Sequence, residues 1–249
     1  PAFMANDTLT CFVRNDGNPK LSMIGMLTGS FSNIILDYIF IFPLNMGIFG
    51  AVLATGLAPV ISLFILSNHW FTKQNQFHLV RINPSFRLTG TIISLGAPSF
   101  ITEMSSGIVM IVFNTIILHL HGNIGVAAYG VVANLSLVVI SIYTGIAQGT
   151  QPILSRIYGY GESENQKKIL RYALKTMLVI SCGIYLIFLF SANSIVSVFN
   201  SEQNIQLQQI AETGLKLYFT AIPLVGFNII ISSYFTSTEK ALPAQIISL

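Results

Sequence analysis

The sequence has 249 residues, 53% of them hydrophobic and only 8% charged, with a mean hydropathy of +0.70. A soluble domain carries about 25% charged residues, so this composition excludes a water-facing globular surface and requires most side chains to face lipid or other helices. The net charge of +3 forms no nucleic-acid-binding stripe, because the basic residues fall in short connections; nucleic acid is excluded and the lipid bilayer is the expected partner.

A membrane span needs roughly 20 apolar residues, each rising about 1.5 Å along the helix. In chain order the apolar runs predict a partial span up to about Val13, complete spans near 21–42, 47–70, 90–118, 124–148, 169–192 and 207–235, and a second partial span from about Leu242. The expected fold class is therefore an all-α integral membrane bundle of about six complete spans and two partial ones. Both chain ends fall within apolar runs and read as cut. Between the runs stand ordinary turn signals: Asp16-Gly17-Asn18-Pro19, Pro43-Leu44-Asn45, Asn83-Pro84, His121-Gly122-Asn123 and Gly159-Tyr160-Gly161-Glu162. Pro59, Pro98, Gly145 and Pro223 fall inside runs, where neighbouring helices tolerate them. Cys11 and Cys182 lie in apolar runs and read as small buried hydrophobes, with no disulfide framework.

Eleven of the twelve Lys and Arg residues fall in alternate connections, at 14–20, 72–88, 155–175 and 236–243; the exception is Lys216. The positive-inside rule makes that side cytoplasmic. The longest polar connection on it, 72–88, is expected to link a partial N-terminal lobe, 1–71, to a fuller C-terminal lobe, 89–249. A faint repeat agrees with two lobes. The segment from Pro1 to Asn6 resembles that from Pro223 to Asn228, and Phe12 and Pro19 are echoed by Phe235 and Pro243. Six span starts separate the copies, so the repeat is parallel, about an axis along the membrane normal.

Six of the nine acids, Asp16, Glu162, Glu164, Glu202, Glu212 and Glu239, lie in or near loops and read as solvated charge. Asp7, Asp37 and Glu103 lie inside spans. A carboxylate at the bilayer centre costs at least about 2.5 kcal/mol, and its default reading is a functional site facing a cavity. Asp7 sits two helical turns from Arg14 and reads equally as a local salt partner. Asn33 lies four residues before Asp37 and shares its helix face, while Thr55 follows on the next helix. Carboxylate, amide oxygen and hydroxyl are hard ligands suited to a small alkali cation, and a lone carboxylate can equally exchange a proton. Asn33, Asp37, Thr55 and Glu103 are thus the candidate cation or proton site, with Na⁺ at the first three. Glu103 lies about 15 residues into its run without a neighbouring Lys or Arg, so it is expected to be buried unpaired near mid-membrane. Asn134, Gln148 and Asn228 are candidates for lining a cargo cavity. No nucleophile elbow, His/Cys metal spacing or phosphate loop occurs, so the chain reads as a non-enzyme without a cofactor beyond a coupling ion. His119 and His121 flank an outer turn and read as solvated.

Several segments in order resemble the multidrug and toxic compound extrusion (MATE) transporters: Phe12-Val-Arg-Asn-Asp-Gly-Asn-Pro-Lys20, Asn33-Ile-Ile-Leu-Asp37, Gly47-Ile-Phe-Gly-Ala-Val-Leu-Ala-Thr55, Leu95-Gly-Ala-Pro98 with Glu103 five residues on, and Gly145-Ile-Ala-Gln-Gly-Thr-Gln-Pro152 running into Tyr158-Gly-Tyr-Gly161. The resemblance implies twelve helices in two six-helix lobes around a V-shaped cavity, with this chain running from the end of the fourth helix to the start of the eleventh. It implies first-lobe cation-site roles for Asn33, Asp37 and Thr55 and a second-lobe role for Glu103. The family's first-helix aspartate would precede Pro1, and Asn228 stands near where some members carry a tenth-helix aspartate.

The function expected is a Na⁺- or H⁺-coupled antiporter in the plasma membrane that exports drugs and other small amphipathic or cationic organic compounds by alternating access. A monomer is expected. One alternative is a lipid-linked oligosaccharide flippase of related architecture, which would want a basic cavity where these spans carry acids. The other is a non-transporting structural membrane protein, against which the intramembrane Asp37 and Glu103 argue.

Overall fold

A computed structural model describes residues 1–71, 75, 85–200 and 203–248, and all regular structure among them is helical. The elements are α1 (Ala2–Asn15), α2 (Pro19–Ile41), α3 (Gly47–Phe71), α4 (Phe86–Gly159), α5 (Ser163–Phe199), α6 (Ile205–Tyr218), a 3-10 turn (Phe219–Ala221), α7 (Ile222–Ser237) and α8 (Ala241–Ser248). The chain divides into two compact units, Pro1–Asn83 and Pro84–Leu249. Most of the connection expected at 72–88, with Lys73 and Arg81, lies outside the described residues, as does Glu202; α4 already begins at Phe86, inside that expected connection.

In the first unit α1, α2 and α3 pack pairwise. The α1–α2 turn carries Gly17 at φ +88°, and Asn18 caps α2 by accepting from the Leu21 N–H at 3.1 Å, with Pro19 at the first helical position. A cap side chain and a proline there satisfy or remove amide donors that would otherwise be orphaned. Along α3 the buried face steps through Gly50, Ala54, Ala58, Ser62, Leu66 and His69. On α2 the facing positions are Ser22, Gly25 and Gly29. A Cβ at Gly29 would stand 3.1 Å from the Ser62 Cβ, and one at Gly25 3.0 Å from the Leu66 Cδ2. Small residues four apart let two membrane helices approach until backbone meets side chain, which is where dispersion gains replace a missing hydrophobic drive.

Two corrections belong to this unit. Asp16 is not a solvated loop acid: its Oδ2 lies 2.8 Å from the His69 Nε2, with the histidine 1% and the aspartate 9% exposed. This pair fastens the α1–α2 turn to the end of α3. Cys11 is exposed rather than buried, and so is Cys182 in the second unit. Both lie on helices that turn an apolar face outward, where a small hydrophobe suits lipid as well as it suits a core.

The second unit opens with 74 residues of helix broken at Gly122, whose φ of 62° and ψ of −156° are non-helical. A β-carbon is strained at that φ. Three residues on, a Cβ at Gly125 would fall 2.5 Å from the His121 Cβ, so both glycines make the turn between the two arms of α4. The expected spans 90–118 and 124–148 correspond to these arms, and His119 and His121 are exposed beside the turn. The second arm and α5 both run past the apolar runs that revealed them. The expected span 207–235 is α6 and α7 joined by the 3-10 turn, because Pro223 has no N–H for the carbonyl four residues back. The core gathers Val132, Val139 and Tyr143 from α4, Met177, Phe188 and Val196 from α5, Ala211 and Leu215 from α6, and Phe219, Ile222 and Ile230 beyond. Within it the Tyr143 hydroxyl meets the Ser181 Oγ at 2.6 Å. Glu212, expected near a loop, lies within α6 and pairs with Lys216 at 2.7 Å.

Among the described residues, five helical stretches are long and apolar enough to cross a membrane: Pro19–Ile41, Gly47–Phe71, Ser99–Gly159, Ser163–Phe199 and Ile205–Ser237. The third has 61 residues and is interrupted at Gly122. The break leaves arms 99–121 and 123–159, about 35 and 55 Å at 1.5 Å per residue, each long enough for one pass.

Candidate functional site

The first unit holds a cleft of about 230 Å³ between its three helices. Its polar lining is Asn6, Asp7 and Thr10 from α1, Ser30 and Asn33 from α2, and Thr55 and Ser62 from α3, with one acid and no base. The structure therefore brings Asn33 and Thr55 together, and it puts Asp7 on the cleft wall. Asp37 does not line the cleft. Counting from the tight turn at 42–46, Asn33 and Thr55 are each eight residues into their helices, about 12 Å, whereas Asp37 is only four, about 6 Å. The residue on α3 that matches its depth is Ala51 rather than Thr55.

Several polar atoms here are buried without a hydrogen-bond partner: the Asn6 Oδ1, the Thr10 Oγ1, the Asn33 Nδ2, the Asp37 Oδ1 and the Ser62 Oγ. Thr10 and Ser62 are 5% and 1% exposed. An unsatisfied buried polar group costs about 1–3 kcal/mol, so five in one small helix triplet is an arrangement that stability alone does not favour. The Thr55 hydroxyl is different, donating to the Ala51 carbonyl at 2.9 Å. Pro59, also on the cleft wall, has no N–H, which leaves the Thr55 carbonyl without its usual helical donor. Turning the Asn33 amide over exchanges its buried nitrogen for oxygen, an assignment that the hydrogen-bond network alone decides. The donor set open to a guest is then oxygen throughout, the chemistry of Na⁺ or of a proton carried on a carboxylate.

Asn6, Thr10 and Ser62 were not singled out by sequence. The signal was available, since Thr10 is three beyond Asp7 and Ser62 seven beyond Thr55, which puts each on the face of a residue already suspect, and Asn6 is four before Thr10.

In the second unit the candidates are dispersed. Glu103 is exposed on the first arm of α4, which corrects the expectation of an unpaired buried acid within this chain. Ser105 is half-buried and Ser106 exposed beside it. Asn134 is exposed on the second arm, its amide donating to the Gly130 carbonyl at 2.9 Å. Gln148 is half-buried further along, and Asn228 is exposed on α7. Among the described residues no hydrogen bond joins Glu103, Asn134 and Asn228 to one another.

Comparison with known proteins reproduces the expected likeness. The MatE family profile matches residues 98–249, more than half of the chain. The chain is 28% identical over 243 residues to the multidrug export protein MepA of Staphylococcus haemolyticus, and 27% identical over 243 residues to that of Staphylococcus aureus strain MSSA476. Each alignment takes in 96% of this chain and 52% of the relative, so the chain spans about half the length of the curated relatives it matches. In fold it is similar to an outward-facing multidrug resistance MATE family transporter of the MOP superfamily, with a TM-score of 0.89 and 24% identity over 98% of this chain and 55% of the other. It is also similar to a MATE transporter in complex with MaL6, at 0.88 and 23%, with the same coverages.

Proposed function

The chain belongs to the MatE family, and from that premise we propose that it is part of a cation-coupled antiporter, driven by Na⁺ or H⁺, that exports amphipathic or cationic organic compounds across the plasma membrane. The observation that carries this reading is the cleft of the first unit: oxygen ligands, one acid, no base, and buried polar atoms without partners inside helices that are otherwise apolar. An intramembrane polar site of that kind is retained when a guest satisfies it. A cation entering the cleft pairs with Asp7, Asn33, Thr55 and the freed Thr55 carbonyl. A proton alternatively rides on Asp7 or Asp37. Cation and cargo then favour opposite-facing states, so that loading one biases the equilibrium toward release of the other. The relatives described as multidrug export proteins agree with such a cargo.

Dye efflux from cells expressing the full-length protein tests the proposal. Asp7→Asn and Asn33→Ala are expected to lower efflux by about tenfold or more, within the roughly 5- to 150-fold range that a coupling free energy of 1–3 kcal/mol allows, while membrane abundance is unchanged. Wild-type efflux in both variants contradicts it.

A further inference from the structure

Helix α5 has 37 residues, about 55 Å, nearly twice the hydrocarbon thickness of a bilayer. Its charges are confined to one end: Glu164, Lys167, Lys168, Arg171 and Lys175 precede a stretch, 176–199, with no charged residue. The helix also has two distinct faces. Gln166, Ala173 and Met177 are 7%, 4% and 1% exposed and, with Leu170, turn toward the core of the second unit. On the opposite side Lys167, Arg171 and Lys175 recur every four residues, all exposed, and the same ridge continues downward through Val179, Leu186 and Phe190, which are 73%, 50% and 81% exposed. Tyr172, 57% exposed, flanks the basic part.

We propose that the basic ridge Lys167–Arg171–Lys175 binds the anionic headgroups of phospholipids in the cytoplasmic leaflet. Three observations converge on that occupant. Among the described residues of this unit, Val179 and Phe190 on the apolar ridge below Lys175 stay largely uncovered, and their composition suits acyl chains, so the basic ridge runs on into a face suited to lipid. Lys175 lies 24 residues before the end of α5 at Phe199, about 36 Å, which puts it in one headgroup layer when Phe199 is at the other. Arg171 then stands about 6 Å further out, at the outer edge of that layer, and Lys167 about 12 Å further out, just beyond it, where its long side chain reaches back toward the headgroups. Finally, none of the three is ion-paired among the described residues, where the pairs are His69–Asp16 and Lys216–Glu212. Glu164 heads the same face but sits in the first turn of the helix, where a carboxylate complements the helix N-terminus, and is about 16 Å from Lys175. An exposed tyrosine between lysines is the usual interfacial anchor. The surface takes phosphate diesters presented by a membrane, and its occupancy is independent of the exported cargo.

The experiment is lipid retention by the purified full-length protein in nanodiscs of phosphatidylcholine mixed with phosphatidylglycerol, read by mass spectrometry of the intact complexes. Wild type is expected to retain phosphatidylglycerol in preference to phosphatidylcholine, and raising NaCl is expected to erode that preference. A cation near an anionic surface contributes about 1 kcal/mol, a factor of about five. The Lys167→Gln/Arg171→Gln/Lys175→Gln variant should therefore lose at least about tenfold of the preference, while Lys167→Arg/Lys175→Arg keeps it and Lys216→Gln leaves it unchanged. An equal preference in the triple Gln variant, or one insensitive to salt in wild type, overturns the proposal.

Discussion

Asp37 and Glu103 are both acids inside apolar helices, yet the structure surrounds them differently, and the difference sets what each substitution does. The Asp37 Oδ1 is buried without a partner, so Asp37→Asn removes a group that is expensive to keep. Thermal stability in detergent is expected to hold or rise while efflux falls, and a matching loss of both would identify Asp37 as structural. Glu103 is exposed on its helix and has no ion pair among the described residues. Exposed substitutions away from packing or networks usually change stability by less than about 0.5 kcal/mol, so Glu103→Gln should leave the melting temperature unchanged. Efflux abolished or uncoupled in that variant assigns Glu103 a coupling role; wild-type transport withdraws it. Asp16 and His69 form the opposite case, a pair whose work is structural. His69→Ala strips a nearly buried carboxylate of a 2.8 Å partner, which should destabilise the first unit by about 2 kcal/mol, measured as a lowered melting temperature with coupling intact in the protein that remains folded. Sequence made the membrane acids visible because a charge in an apolar run stands out. It hid Asp16, because a loop acid looks solvated until the histidine 53 residues later is brought against it.

At the scale of the helices, the apolar runs located the helical segments but merged α6 and α7 into one, and the turn residues located most boundaries, since Asn18, Pro19 and Gly122 act through their own backbone chemistry. What the runs missed were the ends of α4 and α5. Helix continues there past the hydrocarbon, and a search for apolar residues stops where Lys and Arg begin. The register of the α2–α3 hairpin was likewise illegible, because it depends on the length of the turn at 42–46, and that register is what puts Asn33 rather than Asp37 opposite Thr55. Close packing was written in plain sight as Gly25 and Gly29, four apart on α2. Gly29→Leu would drive a side chain into Ser62, whose Cβ is already 3.1 Å from a hypothetical Cβ. Overpacking of this kind costs about 1–3 kcal/mol, and here it also pushes apart the walls of the cleft. Lower thermal stability together with reduced efflux is the expected outcome; unaltered stability would mean that α2 and α3 are further apart than described.

For the whole molecule, family membership rests on residues 98–249, the fold is like that of MATE transporters, and the division into two units follows from the contacts of the chain itself. Orientation rests on charge. If the alternate segments that carry eleven of the twelve Lys and Arg residues face the cytoplasm, Ser163→Cys should be shielded from an impermeant thiol reagent in intact cells and Gln203→Cys labelled, in a background where the exposed Cys11 and Cys182 are replaced by serine. The reverse pattern would invert the topology and move the basic ridge of α5 to the outer leaflet. The central claim, that a cation gradient drives export through the polar cleft of the first unit, is met most directly by proteoliposomes containing the full-length protein and a fluorescent organic cation. An imposed Na⁺ or H⁺ gradient should drive dye against its own gradient in wild type and fail to do so in Asp7→Asn, the one acid on the cleft wall, with passive dye exchange unaffected. Gradient-driven accumulation that persists in Asp7→Asn, or wild-type transport indifferent to both gradients, would contradict the account.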